Sequence, residues 1–231
     1  MKILTCENAR KICQKNEFVF LNLGCGLKKA KNFINIDISS KVNPDYVYDL
    51  SKPLPFPENS IHIIVSIDLF EHFDKYVRYI VMESWAKALV QGGGIFLRVP
   101  DFEYFMKNRQ LIETENLIEI LYGETMAASK IFISHFGNHK WAYTPQSLKN
   151  FGKLFGIEFS ILDNKGYNTI NHFGKELIFQ GEPGSINVSG TKKFNQRNDI
   201  TINSYGNALG DGKPFITLKE AKNIIGQKNY P

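Results

Sequence analysis

Apolar residues recur along this chain in short runs, each closed by glycine, proline or a carboxylate. The runs at 18–23, 33–38, 46–48, 61–67 and 94–99 predict strands, and Phe18, Val19, Phe20, Leu21 and Leu23 are continuous enough for a strand buried on both faces of a parallel sheet. Between the last two runs the period changes. Val77, Val81, Trp85, Ala88 and Leu89 share one helical face over Lys75–Val90, Lys75, Arg78, Glu83 and Lys87 are left for solvent, and Gln91-Gly92-Gly93-Gly94 stops the helix. Phe102–Gly123 predicts a second helical region. Thr144-Pro145 opens a third, with Leu148, Phe151, Leu154 and Phe155 on its apolar face and Gly156 at its end. Strands alternating with helices define an α/β architecture, a parallel sheet with helices on its faces.

Length and composition narrow the picture. At 231 residues and 43% apolar, the chain suits one domain with appendages. No charged-then-apolar leader opens it and no apolar run has the length of a membrane span, so a soluble, cytoplasmic protein is expected. Cys6, Cys13 and Cys25 lack disulfide or metal spacing. The net charge is +5, but seven Lys/Arg stand against four acids from Gly181 onward, so much of the excess lies in the tail. That distribution argues against a nucleic-acid groove. Composition shifts after Gly181 to Gly, Asn, Ser and Lys, which places a domain at 1–181 and an extension at 182–231, with one short helical candidate at Leu218–Ile225.

The candidate chemistry begins where the first strand breaks at Gly24-Cys25-Gly26. Glycines there let a ligand approach the backbone, and Asp37, ending the second strand beside Ile38, can accept hydrogen bonds from two ribose hydroxyls. A dinucleotide fits poorly. Its fingerprint needs a third glycine opening a full helix, whereas Lys29 holds that position and Leu27–Asn32 is too short for a crossover helix.

The stretches FVFLNLGCGLKKAKNFINID (18–37), DYVYDLSKPLPFPENSIHIIVSIDLFEHF (45–73) and GGGIFLRVPD (92–101) resemble, in order and spacing, class I S-adenosylmethionine-dependent methyltransferases. The small bacterial type-11-like group is the most similar. The resemblance implies a Rossmann-like fold with a mostly parallel seven-stranded sheet and helices on both faces, completed by Ile157–Leu162 and Glu176–Gln180 as an antiparallel pair. It implies S-adenosylmethionine as cofactor, held by Asn22, Gly24, Cys25, Gly26, Asp37, Ile38, Asp49, Leu50, Ser66 and Asp68. Asp49 would take the adenine amine and Leu50 would cover the ring, although Asp49 equally suits a cap before Ser51-Lys52-Pro53. Asn22 and Lys28 depart from the common pattern, which carries an acid and a glycine at those positions. Glu71-His72 is a hallmark of the group, with His72 expected to be structural, and Asp68 suits either the sulfonium or a helix cap.

On the acceptor side, Asp101 and His139 are the candidate catalytic residues: Asp101 and Tyr104 should border the pocket and 135–143 should form its lid, with His139 the preferred base. His135 and His139 are four apart, but Gly137 and Asn138 argue against a helix and no third ligand is evident, so no metal is expected. The expected activity is methyl transfer to a small-molecule or glycan acceptor, at a hydroxyl. The alternative is a non-catalytic, accessory S-adenosylmethionine-binding protein that uses its tail to contact a partner.

Overall fold

The computed structural model describes residues 2–122 and 138–193. The apolar runs become β1 (Phe20–Leu23), β2 (Ile34–Asp37), β3 (Tyr46–Val47), β4 (Ile61–Ile67) and β5 (Leu89–Pro100). β1 pairs in parallel with both β2 and β4, β3 lies outside β2, and β5 lies outside β4. Alternation along the strands feeds two cores. Val19, Leu21 and Leu23 enter the larger one with Ile64, Ile95 and Leu97, while Phe20 joins Ile63, Val65 and Phe96 in the smaller.

Beyond β5 come β6 (Ile157–Ile161), β7 (Tyr167–His172), β8 (Lys175–Gln180) and β9 (Ser185–Lys192). The sheet runs β3-β2-β1-β4-β5-β9-β6, with β9 antiparallel to both neighbours. This is the mostly parallel seven-stranded sheet expected, but the segment that completes it is not Glu176–Gln180. That segment pairs only with β7, in a separate two-stranded hairpin. The burial patterns explain the exchange. Within β8 Leu177 alone is buried, whereas β9 buries Ile186, Asn187, Val188, Gly190 and Lys192. Lys192 tolerates its place because its ammonium reaches Leu89 O at 2.6 Å and Asn59 Oδ1 at 3.0 Å. The sheet therefore continues through Lys192, past the boundary that composition placed at 181/182.

Five helices are described: α1 (Cys6–Lys15), α2 (Val77–Ala88), α3 (Phe102–Lys107), α4 (Thr114–Tyr122) and α5 (Pro145–Lys153). The larger core takes Ala9 and Ile12 from α1, Val81, Met82 and Trp85 from α2, and Leu148 and Phe151 from α5. Among the described residues, the hairpin β7–β8 rather than helices covers the smaller core, where Phe179 stacks on Phe96 at 5.2 Å between centroids. α5 starts as expected, with Thr144 and Ser147 forming a reciprocal capping box. α2 differs from expectation on its supposed wet face, because Arg78 and Glu83 are buried. The Arg78 guanidinium sits 3.8 Å from the Trp141 ring centroid and 4.7 Å from that of Phe151, so aromatic faces stand in for water.

Phe159 locks α5 onto the sheet between two glycines. A Cβ on Gly152 would fall 2.3 Å from its ring, and one on Gly190 would fall 2.6 Å from it. Gly190→Ala is therefore expected to lose about 1–3 kcal/mol through overpacking. Urea denaturation measures this, and an unchanged midpoint would contradict the packing.

Candidate functional site

The carboxyl ends of β1, β2 and β4 converge on the glycine turn. Gly24 has a φ of 68°, and a Cβ there would fall 2.9 Å from the Leu69 side chain. Gly26 has a φ of 50° and nothing within 4 Å of an added Cβ, so this side of the turn faces open space. Gly24 N and Cys25 N both donate to Ile36 O, at 2.8 and 3.2 Å. The turn is thus tied to β2, and the tie continues through Asp37. One carboxylate oxygen accepts from Gly26 N at 2.9 Å and the other from Ser39 N at 2.8 Å. A carboxylate offers about four lone-pair sites, so two backbone bonds leave it capacity for a ligand.

Asn22 explains how so short a connection follows β1. Its amide donates to Lys28 O at 3.2 Å and to Asn35 Oδ1 at 2.9 Å. Asn35 in turn accepts from Ala30 N and donates to Asp45 Oδ2. Side chains of Asn22 and Asn35 thus take up backbone groups of Lys28 and Ala30 in a connection that has no helix. Asn22 acts on the cradle's scaffold in this arrangement.

Ile38 is half-buried beside Asp37, and Leu50 is buried beyond β3. Asp49 accepts from Ser51 N at 3.0 Å and Ser51 Oγ at 2.6 Å, which is the capping geometry that its sequence context allowed. Its side chain remains partly exposed. Ser66 is fully buried and its hydroxyl has no partner among the described residues. Asp68 has a φ of 53° and forms a two-pronged ion pair with Arg98, instead of capping the turn at Phe70–His72. Arg98 also reaches Glu182 at 2.9 Å. Arg98 and Glu182 were not legible as site residues, because a charged residue inside an apolar strand and an acid in a later loop share no local pattern.

Cys25 is buried, and that burial, reinforced by the charge of Asp37, raises its thiol to about 11. It should stay a neutral thiol at neutral pH. Iodoacetamide is expected to modify exposed Cys6 and to spare Cys25, with Cys25 reacting only as pH approaches the raised value. Peptide mass spectrometry reads the sites, and equal labelling at neutral pH would contradict this.

The side expected to meet the acceptor is built around Glu71. Lys140 N and Trp141 N both donate to Glu71 O, at 2.8 and 3.1 Å, and so bring 138–141 against the Phe70–His72 turn. His139 Nε2 lies 3.8 Å from Glu71 Oε1, and the His72 and His139 rings meet edge to face at 4.9 Å. Burial lowers His139 and takes His72 down to about 4, so both imidazoles are neutral at physiological pH. Burial, reinforced by Asp68, holds Glu71 well above the usual carboxylate range. His139 also lines a pocket with Pro100, Phe102, Phe105, Ile120 and Trp141. Asp101 stands at the end of β5, as expected, but its carboxylate caps α3 by accepting from Glu103 N and Tyr104 N. Both bonds fall on Oδ1, so the second carboxylate oxygen keeps acceptor capacity. His135 and the Leu218–Ile225 candidate lie outside the described residues.

A sheet of this order, with an antiparallel strand inserted beside β6, is the Rossmann-like fold of class I methyltransferases. Solved structures similar to the chain include S-adenosylmethionine-dependent methyltransferases of Methanosarcina mazei, Thermotoga maritima and Anabaena variabilis. The first is 15% identical, with 83% of this chain and 99% of that one covered and a TM-score of 0.48. The second is 16% identical, with 83% and 90% covered and a TM-score of 0.46. The third is 13% identical, with 83% and 88% covered and a TM-score of 0.45. These likenesses assign no activity to this chain. No family model and no curated protein matches it.

Proposed function

We propose that the protein transfers a methyl group from S-adenosylmethionine to a hydroxyl of a small-molecule or glycan acceptor. One observation carries the reading: the open side of the glycine turn at Gly26 stands beside Asp37, in the crevice where open α/β sheets bind ligands. The residues fit the nucleoside half of the cofactor. Asp37 has acceptor capacity for the ribose hydroxyls, Asp49 and Leu50 would meet the adenine, and Ile38 adds an apolar flank. Cys25 and Gly24 shape the turn from which the methionine end would extend toward Ser66 and Asp68. When bound, the cofactor supplies a methyl group already activated on a sulfonium.

What remains for the protein is alignment and handling of the acceptor proton. His139 Nδ1 lies 2.8 Å from Ile120 O, which assigns the ring proton to Nδ1 and leaves Nε2 able to accept. The small, mainly apolar pocket beside it would form one wall of the acceptor site. Its catalytic unit would extend to the end of β9, with the remaining residues forming the extension.

Calorimetry with S-adenosylmethionine and S-adenosylhomocysteine tests the reading. Binding of at least one is expected, and failure of both would sink it. Labelled cofactor incubated with a metabolite and glycan extract would then identify the acceptor. No helix among the described residues is long and apolar enough to cross a membrane.

A further inference from the structure

Glu71 has an unusual environment. It is 1% exposed, and among the described residues neither carboxylate oxygen has a hydrogen-bond partner. Buried polar atoms are almost always paired, and an orphaned carboxyl in a native core calls for a water or an ion. Two imidazoles lie close to it, those of His72 and His139, and the Asp68 and Arg98 charges also act on it. Ligand atoms of Glu71, His72 and His139 all lie within 4.8 Å of one another.

The hydrogen bonds at the outer sides of the rings orient both histidines. His72 Nδ1 is 3.2 Å from Asn138 O, and His139 Nδ1 is 2.8 Å from Ile120 O. A carbonyl can only accept, so each Nδ1 carries the proton and each Nε2 keeps a bare lone pair. That is the arrangement of metal-binding histidines, whose second nitrogen is held by a backbone carbonyl or carboxylate. The carboxylate and two lone pairs have no donor among them while Glu71 is ionised, and one cation would satisfy all three.

We propose that Glu71, His72 and His139 bind a divalent first-row transition cation, with Zn2+ as the reference ion, beside the acceptor pocket. Two imidazoles and one carboxylate suit zinc, iron, manganese or nickel better than magnesium or calcium, which prefer all-oxygen shells. Ligands on a tetrahedral zinc stand about 3.4 Å apart at ordinary bond lengths. The 3.8 Å between His139 Nε2 and Glu71 Oε1 therefore needs only a small side-chain rotation. Two of the three ligands, Glu71 and His72, come from the Phe70–His72 turn, and His139 supplies the third.

Three protein ligands leave a position open. His139 lines the pocket, so an acceptor hydroxyl entering there could take that position and become more acidic. This use rests on the proposed methyl transfer, whereas cation binding does not. In it, His139 acts through the cation and not as a free base.

Titration of chelator-treated protein with Zn2+ is expected to show one site per chain, weakened at least about 100-fold in Glu71→Gln and in His72→Ala. Unchanged affinity in the two variants would overturn the proposal. Wild-type crystals soaked in Zn2+ remove any dependence on variant folding: anomalous density among the three side chains is expected, and its absence there would overturn the site. Glu71→Gln should retain S-adenosylmethionine binding. If the wild-type protein binds zinc here but neither cofactor form, the methyltransferase reading fails and the cation site stands.

Discussion

Asp37→Ala is expected to weaken S-adenosylmethionine binding by at least about 100-fold, or roughly 2.7 kcal/mol. Two effects combine. Hydrogen bonds between a charged carboxylate and ligand hydroxyls contribute about 1.5–3 kcal/mol each. The same substitution also strips acceptors from Gly26 N and Ser39 N, so the turn loses its fastening to β2. Asp37→Asn separates these contributions. Its side-chain oxygen can keep Ser39 N while losing the charge and the second acceptor, so the fold should survive and cofactor affinity should still fall. Calorimetry measures the affinity and thermal denaturation the fold. Wild-type affinity in Asp37→Asn would show that this carboxylate serves the backbone alone.

His139→Gln should lower kcat by at least about 100-fold, the lower range for loss of a positioned proton acceptor, while sparing cofactor binding. Glutamine can keep the polar contact to Ile120 O but offers no basic nitrogen toward Glu71 and His72. Single-turnover assays with labelled cofactor read the rate, and calorimetry reads the binding. Unchanged turnover would remove His139 from the mechanism. Loss of turnover together with Zn2+ binding would mean that His139 acts through a cation, whereas loss of turnover with Zn2+ binding intact would favour direct proton transfer.

Much of the geometry at the proposed cofactor side is legible in the sequence. Gly24, Gly26 and Asp37 announce themselves because a strand that ends in glycines and another that ends in a carboxylate are local patterns with local causes. Asn22 reads in the sequence as a departure from pattern that can still orient the turn by hydrogen bonding, but with no partner named. Its partners, Lys28 O and Asn35, depend on how β1 and β2 lie side by side. Asp49 kept both of its readings, since its cap with Ser51 leaves part of the carboxylate exposed. Asp101 stands at the end of β5, as expected, and one of its carboxylate oxygens caps α3, a contact typical of any Asp before a helix.

The acceptor side was less legible for a single reason. Glu71-His72 and His139 lie on separate stretches, and backbone bonds from Lys140 and Trp141 to Glu71 bring them together. The buried orphan carboxylate appears only after that closure. Likewise, Arg78 reads as a wet residue on a helical wheel, yet aromatic rings from β-sheet-facing and later segments enclose it.

By itself the sequence determined the α/β class, the central parallel strands, the start of α5 and the glycine turn with its carboxylate. Hydrophobic period, capping and turn chemistry act over a few residues, so they are written in short stretches. Only the tertiary structure decided that polar β9 rather than β8 enters the sheet, that the hairpin covers the smaller core, and that Glu71, His72 and His139 share one site. Each of these depends on which distant segments compete for the same buried surface, and the winning contact is made between residues that have no relation along the chain.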